Sequence, residues 1–156
     1  MSYLGIIGIY TFYTGDANVN SAYPMYDMTF TAAHELAHQR GVARENEANF
    51  MAYLVTSQST DPYIRYSGAL RMYEYIGNAL YKTNKEMYRE INKELSPLAK
   101  GDISASYQVS ERYGDTFIND VSTFVNDIYL KSNGTEGVVS YSGVVTLTVS
   151  YFESMK

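Results

Sequence analysis

The stretch Phe30–Leu54, FTAAHELAHQRGVARENEANFMAYL, decides how the rest of the chain is read. Phe30, Ala33 and Ala37 recur at three- and four-residue spacing, which predicts a helix with one face packed in a core. His34 and His38, the only histidines of the chain, are four apart and so share a face of that helix. Two imidazoles placed this way can aim at one ion. Glu35 follows His34 at about 100° around the helix and can reach toward a water held by that ion. Gly41, three residues past His38, is placed for a left-handed stop, and a second helix is expected from about Arg44 to Ser57.

A catalytic zinc takes three protein ligands and keeps one position open for water. With no third histidine and no cysteine in the chain, a carboxylate must complete the set. Glu45 is the choice, because the first turn of a returning helix brings it to face His34 and His38. Asn49 falls one turn further along the same face, with Ala48 and Ala52 small enough for close helix approach. Glu47 is the alternative; it points about 200° away from Glu45.

His34-Glu35-Leu36-Ala37-His38 has the H-E-x-x-H pattern of zinc peptidases, and HELAHQRGVARENEANF resembles the glutamate-type zincins. In those proteins a glutamate is followed four residues later by an aspartate; here the register is Glu45 and Asn49, so an amide stands in the aspartate position. An amide oxygen can accept the N–H of a ligating histidine, though it orients the ring less strongly than a carboxylate. More closely, the chain resembles a bacterial family of uncharacterised, membrane-anchored zinc metallopeptidases, through TGDANVN (14–20), the HELAHQRG block, ARENEANF, RYSG (65–68) and YLKSNG (129–134). The resemblance implies a zincin-like domain over residues 1–156, the soluble part of a longer anchored protein. Its implied activity is hydrolysis of peptide bonds, with Zn2+ held by His34, His38 and Glu45, Glu35 as general base, and a peptide or protein as substrate.

Composition sets the outer bounds. A chain of 156 residues with 46% hydrophobic and 19% charged residues folds around a real core. A net charge of −5 argues against nucleic acid, which wants a basic face. Without cysteine, neither a disulfide frame nor a thiolate metal site is possible. Leu4–Tyr10 is far short of the ~20 residues a spanning helix needs, and it lacks the basic start and cleavage pattern of a signal peptide. Membrane contact is therefore expected only through segments absent from this chain. Seventeen tyrosines and no tryptophan read as core and boundary positions.

Around the central stretch, Tyr3–Tyr13 predicts a strand or tight hairpin closed by Thr14-Gly15-Asp16, with a second short strand at 17–20. This element serves either as a structural hairpin or as an edge that pairs with extended substrate. Asp27 or Thr29 is expected to cap the metal helix, and Asp61-Pro62 to open a third helix with an inward stripe of Tyr63, Tyr66, Leu70, Tyr73 and Leu80. Thr83 with Glu86 reads as a capping box for a fourth helix carrying Met87, Ile91 and Leu95 inward. Ser96-Pro97 ends that helix. Asp115 is expected to start a long segment with Phe117, Val121, Phe124, Val125 and Ile128 on one side, stopped at Asn133-Gly134. Tyr141–Met155 is rich in valine and threonine, yet Tyr141, Val144, Val145, Thr148, Val149 and Phe152 fit a helical face, and helix is the expectation.

The fold class is thus α+β, mostly α, with a small N-terminal β element and the zinc between the first two helices. Tyr66, Arg65 and Tyr141 are candidates to assist an oxyanion, although structural roles fit each of them too. Arg44 is expected to pair with a carboxylate. Three functional classes stand: an active zinc peptidase, a zinc-bound but inactive peptide-binding or sensing domain, and a helical structural domain with a coincidental motif. Glu35 separates the first two, since a binding site has no chemical need of a general base.

Overall fold

The computed structural model describes residues 1–114 and 141–156. Within them the chain is mostly helical, with one small antiparallel sheet at its N-terminus, as the α+β, mostly α reading expects. The predicted segment from Asp115 to Asn133-Gly134 lies outside the described residues.

A short 3-10 turn (Ser2–Leu4) leads into strand β1 (Gly8–Thr11), which pairs with β2 (Asp16–Val19) in the register Gly8 to Val19 and Thr11 to Asp16. The hairpin lies on helix α1 (Met25–Gln39). Gly8 is where the two meet, since a Cβ there would fall onto Thr31 Cγ2 and the Glu35 carboxylate. No larger residue could let the strand come so close to α1.

Gly41 has φ +94°, and the amides of Gly41 and Val42 bond back to the carbonyls of His38 and Ala37 at 3.0 and 3.1 Å. This is a Schellman stop, in which the left-handed residue lets the last carbonyls of α1 find donors. It reverses the chain into α2 (Glu45–Ser57). Helix α3 (Pro62–Thr83) starts on Asp61, whose side chain accepts the Tyr63 amide at 2.7 Å. It packs on both α1 and α2. Helices α4 (Lys85–Lys93) and α5 (Pro97–Gly114) follow, and the C-terminal helix (Tyr141–Ser154) packs on α2 and α3. The core joins Tyr26, Leu70 and Ala99, with Tyr66, Leu95 and Ile103 against them. Ala48 and Ala52 of α2 are fully buried, which matches the close helix approach expected of them.

Several local expectations are corrected. Asp27 does not cap α1: the helix begins at Met25, without a side-chain cap, and Asp27 is buried inside its first turn. Thr29 does not cap it either, because its hydroxyl donates to the Met25 carbonyl. The cap of α4 is Asn84, accepting the Met87 amide at 3.0 Å, while the Thr83 hydroxyl bonds back to Ala79 and Leu80. Met87 and Ile91 are exposed and only Leu95 packs inward; nine residues on the flank of α3 give α4 little to bury against. In α3 Leu70 is buried and Tyr66 packs on the core as expected, but the buried line also runs through Ser67, Gly68 and Met72, and Tyr63 stays exposed. Gly68 is small because α2 packs against it there: a Cβ would fall onto Thr56. The C-terminal helix forms as expected, burying Val144 and Thr148 but leaving Val149 and Phe152 largely exposed. Among the described residues no helix is long and apolar enough to cross a membrane.

Candidate metal centre

The Schellman reversal places the first residue of α2 over the last two turns of α1. His34, His38 and Glu45 thereby converge, with ligand atoms all within 4.8 Å of one another. The two Nε2 atoms are 3.0 Å apart. His34 Nε2 lies 3.2 Å from Glu45 Oε2, and His38 Nε2 lies 3.5 Å from Glu45 Oε1. Glu47 stands elsewhere, in an exposed pair with Arg44 at 3.2 Å.

The Val42 carbonyl, delivered by the same turn, lies 2.7 Å from His38 Nδ1. A carbonyl only accepts, so Nδ1 carries the hydrogen and Nε2 of the neutral ring is a bare lone pair. The four facing atoms, two ring nitrogens and two carboxylate oxygens, then share at most the one hydrogen of His34. His34 Nδ1 is buried and has no partner among the described residues: if that hydrogen sits on Nε2 it is an orphan acceptor, and if on Nδ1 an orphan donor. A cation among the facing lone pairs would supply what is missing. Tetrahedral ligands about 2.0–2.1 Å from a zinc stand roughly 3.3–3.4 Å from each other, close to the spacings here. The residues fit the ion in number, type and separation.

Charge follows the same logic. Glu45 is pulled down to about 2: burial pushes its pKa up, but the hydrogen bonds and charges of His34 and His38 outweigh that. Burial pulls His38 down, yet Glu45, the Val42 carbonyl and Glu35 together leave it raised.

Glu35 is buried on the neighbouring face of α1. Its pKa is raised, chiefly by burial, with His34 and His38 pulling the other way and Glu45 adding to the rise. The Tyr10 backbone N–H of β1 donates to it, so this donor of the strand is committed to the carboxylate rather than to an incoming chain.

The oxyanion candidates are engaged away from this centre. The Tyr66 hydroxyl donates to Asp102 at 2.6 Å, and Arg65 donates to the Ser59 and Thr60 carbonyls. Tyr141 opens the C-terminal helix, and its side chain lies outside the described residues. Asn49, one turn past Glu45, is buried and its Oδ1 accepts from the Tyr75 hydroxyl at 3.0 Å. The expected convergence of His34, His38 and Glu45 is present, while sequence reasoning missed the Val42 carbonyl on His38 and the Tyr10 amide on Glu35. Both are backbone groups, which carry no residue-type signal.

No curated protein and no solved structure matches the chain. A family model described as protein of unknown function (DUF3810) matches residues 1–149, nearly the whole length, and the chain belongs to that family.

Proposed function

We propose that this protein is a zinc-dependent peptidase. The observation that carries the reading is the convergence of His34, His38 and Glu45 with more acceptors than donors, beside a buried carboxylate whose proton affinity is raised. Zinc bound there would supply a Lewis acid for the scissile carbonyl and lower the pKa of a coordinated water toward ~7. His34, His38 and Glu45 would hold it, with the His38 tautomer fixed by the Val42 carbonyl. Glu35 would take a proton from the attacking water and pass it to the leaving amine. Its burial favours this work, because a raised pKa makes it a stronger base, and the Tyr10 amide keeps the carboxylate in place. The resemblance to membrane-anchored proteins supports a parent whose anchor lies outside this chain.

The test begins with elemental analysis of untagged protein prepared without chelator or added zinc, where about one zinc per chain is expected. Glu35→Gln should then retain the metal and lose hydrolysis of a mixed peptide library by about 100-fold or more. Cleavage at the parental rate by that variant would overturn the mechanism. Retained zinc with no hydrolysis by the parent chain would instead favour a peptide-binding domain.

A further inference from the structure

Gly8 opens strand β1, and a glycine in a strand weakens it unless a close approach requires one. Its φ is not positive, unlike that of Gly5, Gly15 and Gly41, so its backbone conformation is open to other residues. Space is what calls for glycine here. A Cβ at residue 8 would fall 2.5 Å from Glu35 Oε1 and 2.9 Å from Glu35 Cγ, and closer still to Thr31 Cγ2. Thr31 stands one turn before Glu35 on α1, and both side chains are buried. Two residues along β1, the Tyr10 N–H donates to the Glu35 carboxylate.

A glutamate side chain has three rotatable bonds and loses much rotamer freedom when it is fixed. At Glu35 the strand does the fixing: its backbone lies against the side chain at Gly8 and holds the carboxylate at Tyr10. A methyl group at residue 8 leaves two ways out. Either the carboxylate turns aside or the strand lifts, and both undo the placement made by the Tyr10 N–H.

Resting on the zinc-peptidase reading above, we infer that Gly8 is a positioning residue for Glu35: its missing side chain lets β1 lie on the carboxylate and fix its direction. A reacting group has to be held to within about 0.5 Å of its working geometry, and the hairpin supplies that hold. Gly8 therefore acts on the base and not on the binding of substrate.

The experiment takes Thr31→Ala as its reference, since without Thr31 Cγ2 the nearest obstacle to a Cβ at residue 8 is Glu35. In the metal-free protein, Gly8→Ala on this background should lower Tm. Adding Glu35→Ala should return at least half of that loss, as expected for groups in contact. Additive losses, or a Gly8→Ala variant that stays unfolded when Glu35→Ala is added, overturn the contact. In the zinc-loaded protein, Gly8→Ala on the same background should keep its zinc. On one peptide that the parent cleaves, it should lower kcat about 10-fold or more and leave KM within about 2-fold, because misplacing a reacting group by about 1 Å can cost about 100-fold. An undiminished kcat, or a rise in KM alone, overturns the positioning role and leaves the peptidase reading intact. A parent chain that binds no zinc or cleaves no peptide overturns that reading and this inference together.

Discussion

Helix α1 carries two polar clusters, one at each end, the first centred on the fully buried Asp27 and the second half-buried, and they are built on opposite rules. At its first turn, Asp27 is fully buried against Arg71 at 3.3 Å and receives the Ser106 hydroxyl. Arg71 also reaches Glu74 at 3.3 Å, and Glu74 receives the Tyr26 hydroxyl at 3.4 Å. The Arg71 contact to Asp27 Oδ1 is an ion pair without hydrogen-bond alignment, but a cation and two hydroxyls face the two carboxylates. At the other end, His34, His38 and Glu45 face one another with lone pairs in excess. Charge is common to both clusters, though burial is deeper in the first. What separates a structural network from a candidate centre is the donor count, because a closed network needs no outside ion and a donor-poor one does.

That contrast can be broken most sharply at Glu45. Glu45→Ala should weaken zinc binding more than about 100-fold, beyond the cost of losing an outer-shell partner, while Glu47→Ala leaves it unchanged; chelator competition ranks the two. The reverse order would remove Glu45 from the ligand set.

The closed cluster should respond in stability instead. Arg71→Met strands the buried Asp27 carboxylate and is expected to cost about 3–5 kcal/mol in urea unfolding of the metal-free protein. Glu45→Ala in the same assay at pH 8.5 should cost less than about 1 kcal/mol, since it removes one of several mutually facing acceptors. Comparable losses would mean that the two clusters hold the fold in the same way.

Titration sharpens the difference further. His38 is raised above its ordinary 6.5, so its contribution to metal-free stability is complete below that value and fades as pH rises through the raised pKa. Glu45 is lowered from 4.5 to about 2, so its contribution is complete above 4.5 and fades as pH falls toward 2. The pair therefore supports the metal-free fold most fully between 4.5 and 6.5. Zinc must displace the His38 proton, so the rise in Tm on adding zinc should be larger at pH 8 than at pH 5.5. A pH-independent rise would argue against these ligands.

The smallest effect belongs to the exposed Arg44–Glu47 pair. Arg44→Ala should change stability by less than about 0.5 kcal/mol in urea unfolding.

The sequence by itself determined the parts whose causes lie within a turn or two. Histidines four apart make one face, Gly41 permits the left-handed stop, and Asp61-Pro62 opens a helix. The face of Tyr141–Ser154 overrode the strand preference of its valines and threonines. Tertiary structure alone decided what distant segments do to one another. Asp27 stood in plain view as a charge on the buried stripe of α1, spaced by three, four and seven from Phe30, Thr31 and His34. Yet its partner hydroxyl lies 79 residues away on Ser106, and local reading made it a cap. Tyr66 and Arg65 were drawn off to Asp102 and to the loop after α2, and Tyr75 was brought to Asn49 from 26 residues on. The physical reason is that helix periodicity and end signals act over about four residues. The pairing of a buried polar atom is settled only when packing decides which groups lose water together.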